Sequence, residues 1–126
     1  MNKKDTFITK DSGNHMSFST GMKRDISEDK PRFDLLIPNW IPFEEQFLTR
    51  FANHMARGAK KYSERNREVA ETQEELNRFK ESFMRHAMQW FCGDRSEDHC
   101  CAAAFNLMGA EMVLYKLKQK SDEQKN

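Results

Sequence analysis

The sequence predicts an all-α fold, a small bundle of three main helices with a docked irregular N-terminal arm. Three observations lead there. Apolar residues recur at helical spacing in three segments, no segment of useful length alternates with strand period, and the connections are short and rich in turn formers. Three helices in 126 residues bury a modest core, so completion by oligomerisation, as a dimer or tetramer, is expected.

Residues 1–20 are polar, contain Gly13-Asn14 and several Ser and Thr, and are expected to form a flexible arm. One domain is expected over 21–118, followed by a solvated tail over 119–126. Within 21–38, Pro31 and Pro38 disfavour a continuous helix while Phe33, Leu35, Leu36 and Ile37 call for burial. A first helix is expected from about Trp40 to Lys60. Pro42 suits its first turn, and Phe43, Phe47, Phe51, Met55 and Ala59 recur every four residues. The basic stretch 57–68 breaks that pattern. A second helix is expected from Thr72, which has capping-box spacing to Glu75, through the face Leu76, Phe79, Phe83, Ala87, Trp90 and Phe91 to a terminator at Gly93. A third helix is expected near Ser96 as N-cap, with Glu97 and Asp98 in its positive first turn. It is apolar almost all round, which predicts the most buried helix.

Bulk properties exclude several classes. A net charge of +1 gives no basic field for nucleic acid. No apolar run reaches the roughly 20 residues of a membrane span, and the start lacks the apolar stretch of a signal peptide. The odd cysteine count (Cys92, Cys100, Cys101), without CxxC, points to free thiols in a reducing cytoplasm. There is no P-loop: Gly58-Ala-Lys-Lys lacks the glycine spacing and the Ser/Thr.

Chemistry concentrates in the C-terminal half. Arg85-His86, Trp90, Gly93-Asp94, Glu97-Asp98-His99 and Asn106 gather around one turn between apolar helices. Taken singly, each has a bland explanation: a surface ion pair, a helix-dipole acid, a satisfied core amide. Together they offer carboxylates for a divalent ion and cations for a phosphate. His99 and Asn106, seven residues apart, share one helix face. Lys30, Arg32, Lys60, Lys61 and Arg65 are the remaining candidate phosphate cations.

Three segments in order resemble a known family: Gly21-Met-Lys-Arg-Asp…Lys30-Pro-Arg-Phe-Asp-Leu-Leu-Ile-Pro38, then Arg57-Gly-Ala-Lys-Lys-Tyr62-Ser-Glu-Arg-Asn66, then Arg85-His86…Trp90…Gly93-Asp94…Glu97-Asp98-His99…Asn106. The set is similar to the phage dATP/dGTP diphosphohydrolases (MazZ-type) of the MazG-like all-α NTP pyrophosphohydrolases, over roughly residues 21–115. The resemblance implies a homo-oligomeric helical bundle in the host-cell cytoplasm. It implies Mg²⁺ or Mn²⁺ and a purine (deoxy)nucleoside triphosphate split into monophosphate and pyrophosphate. It makes Asp94, Asp98 and His99 candidate metal ligands, with Glu81 the acid offered by the second helix, and Arg85, His86 and Asp98 the candidate catalytic group. Candidate substrate contacts are Lys30, Arg32, Lys60, Lys61, Tyr62, Arg65, Asn66 and Asn106. No membrane or nucleic-acid partner is implied. The EExxE and ExxD acids of the wider superfamily are not intact, since Glu74-Glu75 is followed at the third position by Arg78. Residue 67 is Arg where the family often has an aromatic. The alternative reading is a non-catalytic phage protein that binds nucleotide or blocks a host factor. A kinase-like protein without a P-loop would need a phosphate donor and release no pyrophosphate.

Overall fold

The computed structural model describes residues 9, 11–25 and 29–125. The chain divides into two compact units, Met1–Leu35 and Leu36–Asn126. Part of the expected flexible arm, residues 1–8 and 10, lies outside the described residues, as do 26–28 and 126.

In the first unit, β1 (His15–Ser17) pairs antiparallel with β2 (Lys23–Asp25) in the register His15↔Asp25, Met16↔Arg24, Ser17↔Lys23. Sequence reading did not anticipate this hairpin, because three-residue strands carry too little alternation to detect. Its turn closes through Phe18 N–H to Met22 O (2.8 Å) and Gly21 N–H to Phe18 O (2.9 Å), with Gly21 at φ +90°. Phe33 and Leu35, expected to be buried, are exposed.

The second unit holds three helices: α1 (Phe47–Lys61), α2 (Gln73–Phe91) and α3 (His99–Gln124). The first helix begins seven residues later than expected. Pro42 leads a 3-10 turn, Phe43–Glu45, and Gln46 then takes an extended conformation while its side chain donates to Ile41 O at 2.9 Å. Trp40 and Phe43 therefore fall outside the helix and stay exposed.

The second helix begins as its sequence predicts. Thr72 Oγ1 accepts from Glu75 N–H, and the Glu75 carboxylate accepts from Thr72 N–H, which closes the capping box. At the other end Gly93 turns the chain at φ +85°. The third helix starts at Asp98 rather than Ser96. Asp98 accepts from Cys101 N–H at 3.1 Å, whereas Ser96 is taken up in a turn around the Asp94 carboxylate. The helix also continues through the expected tail to Gln124, its last turns exposed.

The core lies where α2 meets α3. Leu76, Ala110 and Val113 are buried with Ala70, and Phe79 and Leu117 pack against them. Six residues of α3 are buried, against two of α2 and none of α1. By length and composition α3 is also apolar enough to cross a membrane, with an 18-residue window of mean hydropathy 1.2. That corrects the expectation of no such run, since Ala and Cys raise the hydropathy without forming a recognisable greasy block.

Gly109 leaves room for the Phe79 ring of α2: a Cβ there would lie 2.5 Å from Phe79 Cε1. Gly109→Ala gains about 1 kcal/mol in helix propensity but incurs about 1–3 kcal/mol of overpacking against the ring. A lower urea midpoint is expected. A raised midpoint would mean that the Phe79 ring turns aside freely.

Candidate functional site

The turn from Gly93 to Asp98 ends α2 and starts α3, and so carries the side chains of both helix ends to one place. His86, five residues before the end of α2, meets His99, the first residue of α3: their Nδ1 atoms are 2.8 Å apart and their rings 5.1 Å between centroids. The His99 side chain is fully buried. Its Nε2 lies 3.3 Å from Asp94 Oδ2, off the alignment of a hydrogen bond, so that ring nitrogen has no formal partner. Glu97 completes the group, with one ligand atom from each of His86, Glu97 and His99 within 4.8 Å of the others. Burial and the neighbouring Arg85 charge hold the His86 imidazole below its ordinary pKa, which favours the neutral ring a metal needs.

Asp98 is engaged elsewhere. Arg50 of α1 grips its carboxylate with two bonds, Nε to Oδ2 at 2.9 Å and Nη2 to Oδ1 at 2.7 Å, while Oδ1 also caps α3. The Arg50 bond holds the Asp98 carboxyl down at about 2. Arg50, Trp90, Asp94, Arg95, Glu97, Asp98, His99 and Cys100 line a cavity of about 420 Å³. Burial pushes the Cys101 thiol up to about 12, so it is no nucleophile.

A second cavity, of about 300 Å³, lies between the end of α1, the 62–67 turn and α3. Its aromatic wall is Phe105, with the His54 ring 5.7 Å away and Arg67 Cζ 5.9 Å from the ring centre. Arg57, Lys61, Arg65 and Asn66 line the rim. Arg65 sits in the left-handed region at φ +57° and pairs with Glu68 at 2.8 Å. The Nε of Arg67 is buried without a hydrogen bond. Lys116 reaches the carbonyls of Glu68 and Ala70 and so ties the 3-10 turn Asn66–Val69 to α3. Burial, then the Arg57 charge, keep the His54 imidazole below its ordinary pKa. His54 and Phe105 line this cavity and Arg50 and Cys100 the other, so both are lined by residues of α1 and α3.

The structure thus brings together His86, Asp94, Asp98 and His99 at one cavity or its edge, and Lys61, Tyr62, Arg65 and Asn66 at the other. It does not bring Glu81 to the turn: that acid is exposed on α2 and faces Arg78 at 3.8 Å. Arg85 is exposed beside His86, and Lys60 is exposed outside the lining of the second cavity. Asn106 spends its amide on Ala102 O at 2.8 Å. Lys30 and Arg32 belong to the first unit, where they pair with Asp25 and Asp34. Sequence reading missed Arg50, His54 and Arg67. Arg67 had stood out only as a departure from an aromatic. Glu97 was read as a helix-dipole acid, and its place in an Asp94-x-x-Glu97 pair was the available signal.

Compared with known families, residues 20–124 match the one described as dATP/dGTP diphosphohydrolase, N-terminal. No curated protein matches the chain, and no solved structure does.

Proposed function

The chain belongs to the dATP/dGTP diphosphohydrolase N-terminal family, and from that premise we propose that it hydrolyses a purine deoxynucleoside triphosphate to the monophosphate and pyrophosphate, with Mg²⁺ or Mn²⁺, in phage nucleotide metabolism. The observation that carries this reading is the 300 Å³ cavity, which joins an aromatic wall to a rim of four cations, Arg57, Lys61, Arg65 and Arg67. A base stacks on the Phe105–His54 wall, and the triphosphate meets the guanidinium and ammonium groups that line the cavity.

The chemistry is attack of water on a phosphorus: one P–O bond forms to the water oxygen, the phosphoanhydride bond breaks, and pyrophosphate leaves with the bonding pair. A divalent ion supplies charge neutralisation and water activation when bound. The side chains do the rest. The guanidinium and ammonium groups hold the phosphates and offset the charge that builds on the leaving group. His54, held below its ordinary pKa by burial and then by the Arg57 charge, offers its ring to the base, and the proton released by the water passes to solvent. The reading includes a homo-oligomer in the host-cell cytoplasm, with an interface that takes up the exposed Trp40 and Phe91, 84% and 77% exposed.

The test is a panel of the eight common NTPs and dNTPs with each metal, with products separated by chromatography. Pyrophosphate and monophosphate from dATP or dGTP are expected. Arg67→Ala should lower kcat/KM by about tenfold or more, the equivalent of one charge-assisted hydrogen bond. No turnover with either metal would overturn the proposal. Calorimetric binding without hydrolysis would instead favour a nucleotide-binding protein.

A further inference from the structure

We propose that His86, Glu97 and His99 form a binding site for a first-row transition-metal ion, selective against Mg²⁺, with Asp94 as the outer carboxylate that orients His99. The donor set is the first argument. Two imidazoles and one carboxylate suit Mn²⁺, Co²⁺, Ni²⁺ or Zn²⁺, whereas Mg²⁺ takes oxygen ligands almost exclusively. The three ligand atoms already lie within 4.8 Å of one another.

The spacing of the nitrogens is the second argument. With metal–nitrogen bonds of about 2.0–2.1 Å, two nitrogens on adjacent corners of an octahedron stand about 2.9 Å apart. The Nδ1 atoms of His86 and His99 are 2.8 Å apart. The spacing is that of two neighbouring positions around a six-coordinate ion.

The far side of His99 is the third argument. A metal on Nδ1 forces the proton onto Nε2, and that nitrogen is buried without a hydrogen bond, 3.3 Å from Asp94 Oδ2. A small rotation gives the carboxylate–histidine–metal relay that fixes a ligand's tautomer. Asp94 is itself fixed by Ser96, whose N–H and Oγ–H both bond Oδ1, at 2.8 and 2.7 Å.

The surroundings are the fourth argument. Glu97 and His99 both line the 420 Å³ cavity, along with Arg50 and Arg95. Three protein ligands leave positions open toward that space for water or an anionic oxygen, as in sites that work on a ligand rather than merely brace a fold. The competing account is a single N–H···N hydrogen bond between the histidines with no ion. It explains the 2.8 Å contact and, with the His99 proton on Nε2, the Asp94 contact as well, but it gives no role to Glu97.

The experiment uses the full chain without nucleotide, so its result is independent of the proposed hydrolysis. Ni²⁺ and Co²⁺ are titrated by calorimetry, with Co²⁺ also followed by its visible d–d absorption. One ion per chain is expected, unaffected by millimolar Mg²⁺. Glu97→Gln and His86→Gln, both on accessible side chains, should each weaken binding at least about tenfold, and Asp94→Asn by about 10–100-fold. His99→Gln is a poorer probe because the ring is buried. The proposal is overturned if neither ion binds, if the Glu97 and His86 variants bind as wild type does, or if Mg²⁺ competes equally. A sulfur-to-cobalt charge-transfer band would also overturn it, by assigning the ion to Cys92 or Cys100. Metal binding without turnover would count against the hydrolase reading and leave this site standing. Turnover with no transition-metal binding would do the reverse.

Discussion

Leu76→Ala is expected to lower the unfolding free energy by about 2–5 kcal/mol, the range for a large apolar side chain removed from a packed core. Leu76 is only 2% exposed, in the first turn of α2, and shares its contacts with Ala70, Ala110 and Val113. The buried neighbours are small, while Phe79 and Leu117 at the edge of the cluster can close part of the space, so the cost should fall near the middle of the range. For a domain of this size that is a large fraction of a total of about 5–15 kcal/mol. Urea denaturation is the measurement, and the midpoint should fall while the slope stays constant. A loss under about 1 kcal/mol would mean that the stabilising core lies elsewhere, for instance in an interface between copies of the chain.

The second large effect concerns Arg50 and Asp98. Asp98→Ala removes a helix N-cap, worth about 1 kcal/mol, and a charge-assisted pair, worth about 1.5–3 kcal/mol. Because Arg50 keeps 39% of its side chain exposed, screening trims the pair toward the low end. Arg50→Ala should cost less, since the cap survives. A double-mutant cycle should give a coupling of about 0.5–3 kcal/mol. The pH dependence follows from the carboxyl, which is depressed from 3.8 to about 2 in the folded chain. A depressed acid stabilises the fold above its unfolded pKa, and that stability is lost as pH falls from about 4 through about 2. Wild type should therefore lose stability over that window more steeply than Arg50→Ala. Equal slopes would remove the ion pair from the account. Asp98→Asn also separates roles: if turnover vanishes while the melting temperature barely moves, Asp98 acts on substrate or metal as well as on α3.

What the sequence disclosed was local. The Thr72–Glu75 box and the Gly93 stop were legible because their physics closes within a few residues. The start of α3 was misjudged by two residues because Ser96 and Asp98 are both good caps, and the choice depends on Asp94 occupying Ser96. The start of α1 was misjudged because apolar spacing continues through Phe43, while the extended Gln46 interrupts the backbone. The histidine pair was half visible: each ring was a candidate, but nothing in the spacing says that positions 86 and 99 touch across a turn. Arg50, 48 residues from Asp98, carried no sequence signal at all. Glu81 shows the reverse error, a plausible acid at a plausible spacing that the helix turns toward solvent.

The attachment of α1 has a consequence for motion. No residue of α1 is buried. It is held to α3 by the Arg50–Asp98 bonds and by His54 against Phe105, while α2 and α3 share the apolar core. Polar and edge contacts of this kind yield at lower free energy than a packed core, so amide exchange is expected to be faster in α1 than in α2 and α3. Salt should therefore speed amide exchange in α1 more than in α2 or α3, by screening the Arg50–Asp98 pair.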